Sequence, residues 1–150
     1  MMHSIPYTAS QPVTVGKPKI VVLSGSSRYC DVMAVCAWLI ERDEGAITMG
    51  LHLLPEWYPF SQPEGIEGHL AEAEGVANSM DELHLRKIDL ADEVFVVNVR
   101  DYIGDSTRRE IEYAKATGKP IRWYTHDSIG ERVNGILQDF LNRRAQQEAS

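Results

Sequence analysis

Short β-branched runs alternate along this chain with stretches whose apolar residues recur every three or four positions. The first run, Lys19 to Leu23, ends in Ser24-Gly25-Ser26-Ser27 and predicts a buried strand followed by a tight turn. Tyr29 to Glu44 carries Val32, Val35, Cys36, Leu39 and Ile40 at helical spacing and predicts the first helix. Ala46 to Leu54 predicts a second strand running into Pro55. Asp81 to Leu90, with Leu83, Ile88 and Leu90, predicts a helix whose start extends back toward Glu67.

Glu93 to Val99 is apolar almost throughout, which suits a central parallel strand covered on both faces. Thr107 to Thr117 predicts a helix stopped by Gly118, with Pro120 beyond it. Ile121 to Tyr124 predicts the fourth strand. Ile129 to Asn142 predicts a closing amphipathic helix with Val133, Ile136, Leu137, Phe140 and Leu141 on one side. Strands alternating with helices imply right-handed βαβ units. The expected class is therefore α/β: a three-layer, flavodoxin-like or Rossmann-like domain. Its parallel sheet has four to five strands in the order 2-1-3-4, any fifth strand following at the end.

The domain spans 19–142 in this reading. Residues 1–18, with Pro6, Pro12 and Pro18, form an extended or flexible arm, and residues 143–150 a fraying tail. Pro55 to Met80 breaks the periodicity, with Trp57, Tyr58 and Phe60 among prolines and then Gly65, Gly68 and Gly75. Long irregular segments in compact domains are usually functional or disordered, and the aromatic content favours a lid.

At 150 residues, 43% hydrophobic and 25% charged, the chain fits one globular domain with a real core. A net charge of −7 argues against binding nucleic acid or an anionic membrane through a global field. It leaves room for a small anion held by local donors. No apolar run approaches the roughly 20 residues that span a bilayer, and Met1 to Lys17 lacks the apolar core of a signal peptide. Cys30 and Cys36 read as reduced packing residues on different helix faces, in a cytoplasmic protein. There is no CxxC, and His52, His69, His84 and His126 are scattered, so neither a metal nor a cofactor is expected.

Three constellations carry candidate chemistry. Gly25-Ser26-Ser27-Arg28 joins strand to helix and reads in two ways. It is either a plain turn capped by Ser26 or Ser27, or a cradle of N–H groups in which Arg28 grips a phosphate. Asp105-Ser106-Thr107-Arg108-Arg109-Glu110 is either a capping box between Thr107 and Glu110 or a carboxylate presented at the carboxyl end of a parallel strand. Asp81, His84 and Ile88 share one face of their helix. Asn98 and Tyr102, at the end of the third strand, lie near any ligand bound there.

Together these pieces resemble the nucleoside 2-deoxyribosyltransferase-like superfamily, which includes deoxyribosyltransferases and nucleoside 5′-monophosphate N-glycosidases. The resemblance runs from Lys19 to about Tyr124. Its specific part is Ile88-x-x-Ala91-Asp92-Glu93-Val94, then Asp105-Ser106-Thr107-x-x-Glu110-Ile111-x-Tyr113-Ala114, then Gly118-Lys119-Pro120. The resemblance implies that Glu110 is the nucleophile of the D-x-(G/S)-(T/S)-x-x-E pattern, with Ser106 where glycine is more common. It implies that Gly25, Ser26 and Arg28 hold a 5′-phosphate. Family members commonly carry an aspartate four residues before the position of Ile88, and here that residue is His84. Histidine can serve as acid or hydrogen-bond partner, and Asp81 stands one turn earlier.

The implied reaction is cleavage of an N-glycosidic bond through a covalent glycosyl-enzyme on Glu110, resolved by water or by a second base. Glu110 would be kept ionised by the helix dipole. Asp105 would orient a sugar hydroxyl and His84 would assist the leaving base. Trp57 and Tyr58 would stack on that base or else simply pack their own loop. The resemblance also implies a homodimer or higher homo-oligomer. The alternative is a non-catalytic nucleotide-binding or sensor module on the same scaffold.

Overall fold

The computed structural model describes residues 16–51, 57–58 and 75–149. Four strands form one parallel sheet: β1 (Ile20–Gly25), β2 (Ile47–Met49), β3 (Glu93–Val97) and β4 (Ile121–Trp123), in the order β2-β1-β3-β4. Among the described residues four α-helices cover it: α1 (Cys30–Glu44), α2 (Ala77–Leu90), α3 (Asp105–Ala116) and α4 (Ser128–Ala149). This is the α/β, flavodoxin-like architecture and strand order read from the sequence.

Strand alternation sorts the core into two halves. Val21, Leu23, Phe95 and Val97 pack with Val32, Cys36, Leu39 and Ile40 of α1 and Ile129 and Val133 of α4. Val22, Val94 and Val96 face the other way, onto Ile88 of α2 and Ile111 and Ala114 of α3. The central strands β1 and β3 are buried on both faces, which explains their unbroken apolar runs.

Several boundaries differ from the sequence reading. β2 ends at Met49 rather than Leu54. It is an edge strand, and the outward N–H and hydroxyl of Thr48, which pairs in register with Val21, are accepted by the Glu41 carboxylate at 3.0 Å and 2.7 Å. β3 stops at Val97 because Val99–Asp101 form a 3-10 turn in which Arg100 and Asp101 take φ of 56° and 60°. That left-handed backbone is costly for residues other than glycine. Cys30 packs partly buried against the same core half as Cys36, so the two are not separated onto opposite sides.

The last helix runs to Ala149, past the tail boundary expected at residue 142. Ile129, Gly130 and Val133 are buried along it and Leu137 packs partly buried against the core, while Ile136, Phe140 and Leu141 are exposed, so the expected apolar face packs only over the first half of the helix. The arm expected over 1–18 lies outside the described residues as far as residue 15, and so does most of 55–80. Among the described residues, no helix is long and apolar enough to cross a membrane.

The junctions around α2 and α3 position the site. α2 starts at Val76 without a side-chain cap and passes into β3 through Ala91 and Asp92 alone. Asp92 bonds Ile20 twice: its N–H donates to the Ile20 carbonyl at 2.7 Å, and its carboxylate accepts the Ile20 N–H at 2.8 Å. Lys119, just after α3, donates to the carbonyls of Ala91 at 2.7 Å and Asp89 at 3.3 Å, satisfying the open end of α2.

Candidate functional site

Ser24 is the last inward-facing residue of β1. It sits in register with Val96 and faces the α2–α3 side, as Val22 does. It is fully buried, in a position that alternation reserves for an apolar side chain. His84 reaches it from α2, with Nε2 3.0 Å from Ser24 Oγ. Glu110 reaches the same point from the second turn of α3, with Oε1 3.4 Å from His84 Nε2. His84 is 3% exposed and Glu110 7%. Three polar side chains, from β1, α2 and α3, thus meet under the carboxyl end of the sheet.

Burial decides their charge. Glu110 is pushed up from 4.5 to about 7, first by desolvation. The Asp81 carboxylate adds to the rise, while a hydrogen bond from Ser24 and the Arg109 guanidinium oppose it. Desolvation and the Lys87 charge lower His84 to about 4, with Asp81 opposing. Between those two values both groups are neutral, so the 3.4 Å contact is a polar contact rather than an ion pair.

Glu110 is therefore not the residue expected from the capping box. α3 starts at Asp105, Gly104 occupies the cap position without a side-chain bond, and Thr107 is buried inside the first turn. Glu110 falls one turn too deep to bond back. The helix dipole does not hold it ionised either, because desolvation dominates there.

Asp81 lies at the edge of this cluster, its carboxylate 3.1 Å from Arg109 Nη2. Arg109 also reaches Ser106 Oγ at 3.2 Å, so the pair bridges α2 to α3 one residue from Glu110. Asp105 is not brought to the carboxyl of Glu110: its side chain is 91% exposed and pairs with Arg108 at 3.3 Å. Asn98 is buried and structural in its contacts, donating to Thr125 Oγ1 at 3.1 Å and accepting the Thr125 N–H at 3.3 Å. It ties the end of β3 to the end of β4.

The Gly25–Arg28 turn takes the capped form. Ser26 Oγ accepts the Arg28 N–H at 3.1 Å and starts the 3-10 turn Ser27–Tyr29. A Cβ on Gly25 would lie 3.0 Å from the Val97 carbonyl oxygen, so glycine permits the close approach of β1 and β3 here. The exposed Arg28 guanidinium lies over the Tyr102 ring at 4.5 Å, and Tyr29 meets that ring edge-on at 6.4 Å. Trp57 and Tyr58 contact each other edge-to-face at 6.3 Å, and Trp57 is 71% exposed; residues 55–56 and 59–74 of the expected lid lie outside the described residues, and its last stretch, Ala77 to Met80, belongs to α2.

Ser24 was not among the residues singled out from the sequence. Its signal was present: counting by two from Val22 places it on the inner face. Serine, histidine and glutamate together suggest a serine nucleophile, but the arrangement opposes that role. Both oxygens sit on Nε2, whereas a triad places the acid on the opposite ring nitrogen. Here His84 Nδ1 has no partner among the described residues. Nor, among those residues, do three His, Cys, Asp or Glu side chains gather to hold a metal ion.

Comparison of the chain with protein-family models, curated proteins and solved structures gave no match.

Proposed function

We infer that this chain cleaves the N-glycosidic bond of a nucleoside or nucleoside 5′-monophosphate, with Glu110 as the nucleophile. The observation that carries this reading is the desolvated carboxyl group of Glu110 at the carboxyl end of a parallel strand, where open α/β sheets place their ligands. It stands on the helix whose sequence resembles the glycosyl-transferring pattern.

The chemistry fits that environment. As the base departs, positive charge develops at C1′ of the sugar. A carboxylate stripped of water gains more from that cation than from a neutral ground state, so its burial favours the transition state selectively. An oxygen of Glu110 bonds to C1′ while the C1′–N bond breaks and its electron pair leaves with the base. Water then cleaves the ester in hydrolysis, or a second base does so in transfer. With the Ser26 hydroxyl engaged in capping the turn, the exposed Arg28 guanidinium is the group that grips the 5′-phosphate, and Trp57 and Tyr58 stack on the base. Copies of the chain associate; the exposed Trp38, Ile136 and Phe140 agree with that.

The test is incubation with a mixed pool of nucleosides and nucleoside monophosphates, read by chromatography for free base. The parent chain releases base and Glu110→Ala does not, while the variant still unfolds in a single cooperative transition. Release by Glu110→Ala at the parent rate removes the assignment. Thermal stabilisation by nucleotides without any release makes the chain a binding module instead.

A further inference from the structure

Ser24 stands between Glu110 and His84 and has no part in the reaction as written above. Its hydroxyl donates one hydrogen bond and accepts another, so the groups at either end set its direction. With Glu110 protonated, the acid donates to Ser24, Ser24 donates to His84 Nε2, and the ring proton sits on Nδ1. With Glu110 ionised every bond reverses: Nε2–H donates to Ser24, Ser24 donates to the carboxylate, and Nδ1 is bare. The 3.0 Å Ser24–His84 contact and the bond from Ser24 to Glu110 supply both links. The two states differ by one proton, which enters or leaves at Nδ1. That is the ring atom without a partner among the described residues, on a side chain more than nine-tenths buried.

We propose that Ser24 and His84 form a proton relay that carries the Glu110 proton to the departing base. The proposal rests on the reading of Glu110 as the nucleophile. As the Glu110 oxygen bonds to C1′, its proton passes to Ser24, the Ser24 proton passes to Nε2, and the Nδ1 proton passes to the base nitrogen. That nitrogen holds the electron pair of the broken C1′–N bond. The products are a glycosyl ester, a neutral serine, a neutral histidine with its proton on Nε2, and a neutral base. Hydrolysis runs the relay backwards: the attacking water gives a proton to Nδ1, and the released carboxylate recovers one from Ser24.

The surroundings suit a ring that passes protons without storing charge. Lys87 and burial oppose a histidinium, while Asp81 opposes them in turn. Asp81 and Arg109 are the charged groups that act on Glu110. The relay also gives the histidine a role that a carboxylate in its place fills differently: the ring has two nitrogens, one for the enzyme and one for the substrate.

The tautomer of His84 is read by nitrogen-15 NMR on the intact, ligand-free chain from about pH 5 to about pH 9, a span that brackets an acid with raised proton affinity. The expected result is Nδ1–H on the acid side of the Glu110 midpoint and Nε2–H on the alkaline side, with no change in Glu110→Gln. A single tautomer across the range overturns the relay, whatever the chain does to nucleosides. Kinetics supply the second arm. Ser24→Ala slows release of an ordinary base by about 10²-fold, the low end for general acid–base catalysis. Above the Glu110 midpoint, where the carboxylate is already free of its proton, it leaves nearly unchanged the release of a pyridinium base, which departs neutral without taking a proton. Equal losses on both substrates overturn the relay and leave the nucleophile standing. No release by the parent chain from either substrate overturns the nucleophile and the relay together.

Discussion

His84 and Glu110 meet at 3.4 Å in an interior that displaces their proton affinities in opposite directions, the ring down to about 4 and the acid up to about 7. Each group thereby opposes the other in the dependence of folding on pH. A raised acid contributes stability that is present below its unfolded value of 4.5 and lost as pH rises toward about 7. A lowered histidine contributes stability that is present above 6.5 and lost as pH falls toward about 4. Across the shared window the two slopes largely cancel.

Glu110→Gln uncovers the cancellation. The variant loses stability only toward acid, through His84, and above pH 7 it is more stable than the parent. The rise from 4.5 to about 7 sets the gain at up to about 3 kcal/mol, at about 1.4 kcal/mol for each tenfold change in proton affinity. Urea unfolding of both proteins at about pH 5 and about pH 8 measures it. An equal gap at the two pH values contradicts the assignment.

Arg109→Ala moves the Glu110 midpoint further up. The substitution removes a cation that lowers it and leaves the Asp81 carboxylate, which raises it, without its partner. Carbon-13 NMR of the glutamate carboxyls reads the direction.

Two glycines of α4 respond oppositely to alanine. A Cβ at Gly130 would collide with the Tyr124 backbone carbonyl, and no flexible side chain can yield there. Gly130→Ala is expected to cost about 2–3 kcal/mol and lower the melting temperature by about 6 °C or more. Gly135 has open space around its Cβ direction, and Gly135→Ala gains about 0.5–1 kcal/mol through helix propensity.

Arg122 of β4 joins three elements, reaching Glu44 at 2.8 Å, Glu93 at 2.8 Å and Asp127 at 2.9 Å while lying over the Phe95 ring. Arg122→Ala leaves Asp127 sheltered without its counter-charge and Glu93 with only the longer 3.5 Å contact to Lys19. The expected loss is about 3 kcal/mol by chemical denaturation, with little of it recovered in high salt.

The sheet was legible in the sequence because β1 and β3 are covered on both faces and so carry unbroken apolar runs. The end of β2 was not, because an edge strand is limited by what its outer N–H groups meet, and Glu41 is supplied by another element. The face shared by Asp81, His84 and Ile88 followed from helical spacing alone. Glu110 was singled out from the sequence, but its environment was misread. A local Thr-x-x-Glu pattern cannot reveal that Gly104 starts the helix early and carries the glutamate into the interior. Ser24 was hidden for the opposite reason: a serine ending an apolar run looks like the first residue of a turn. Only the register with Val96 shows it as the last residue of the strand. The exposed end of α4 escaped because an apolar stripe records a capacity for burial, not whether a surface reaches it.

The double bond between Asp92 and Ile20, together with the reach of Lys119 to the last carbonyls of α2, makes that helix a propped beam. Its far end is welded to the sheet, and the Asp81–Arg109 pair props it against α3 near its start. His84 sits between weld and prop, so the distance from its ring to Ser24 and Glu110 is fixed from both sides. The spacing of the buried cluster is thus set largely by residues outside it.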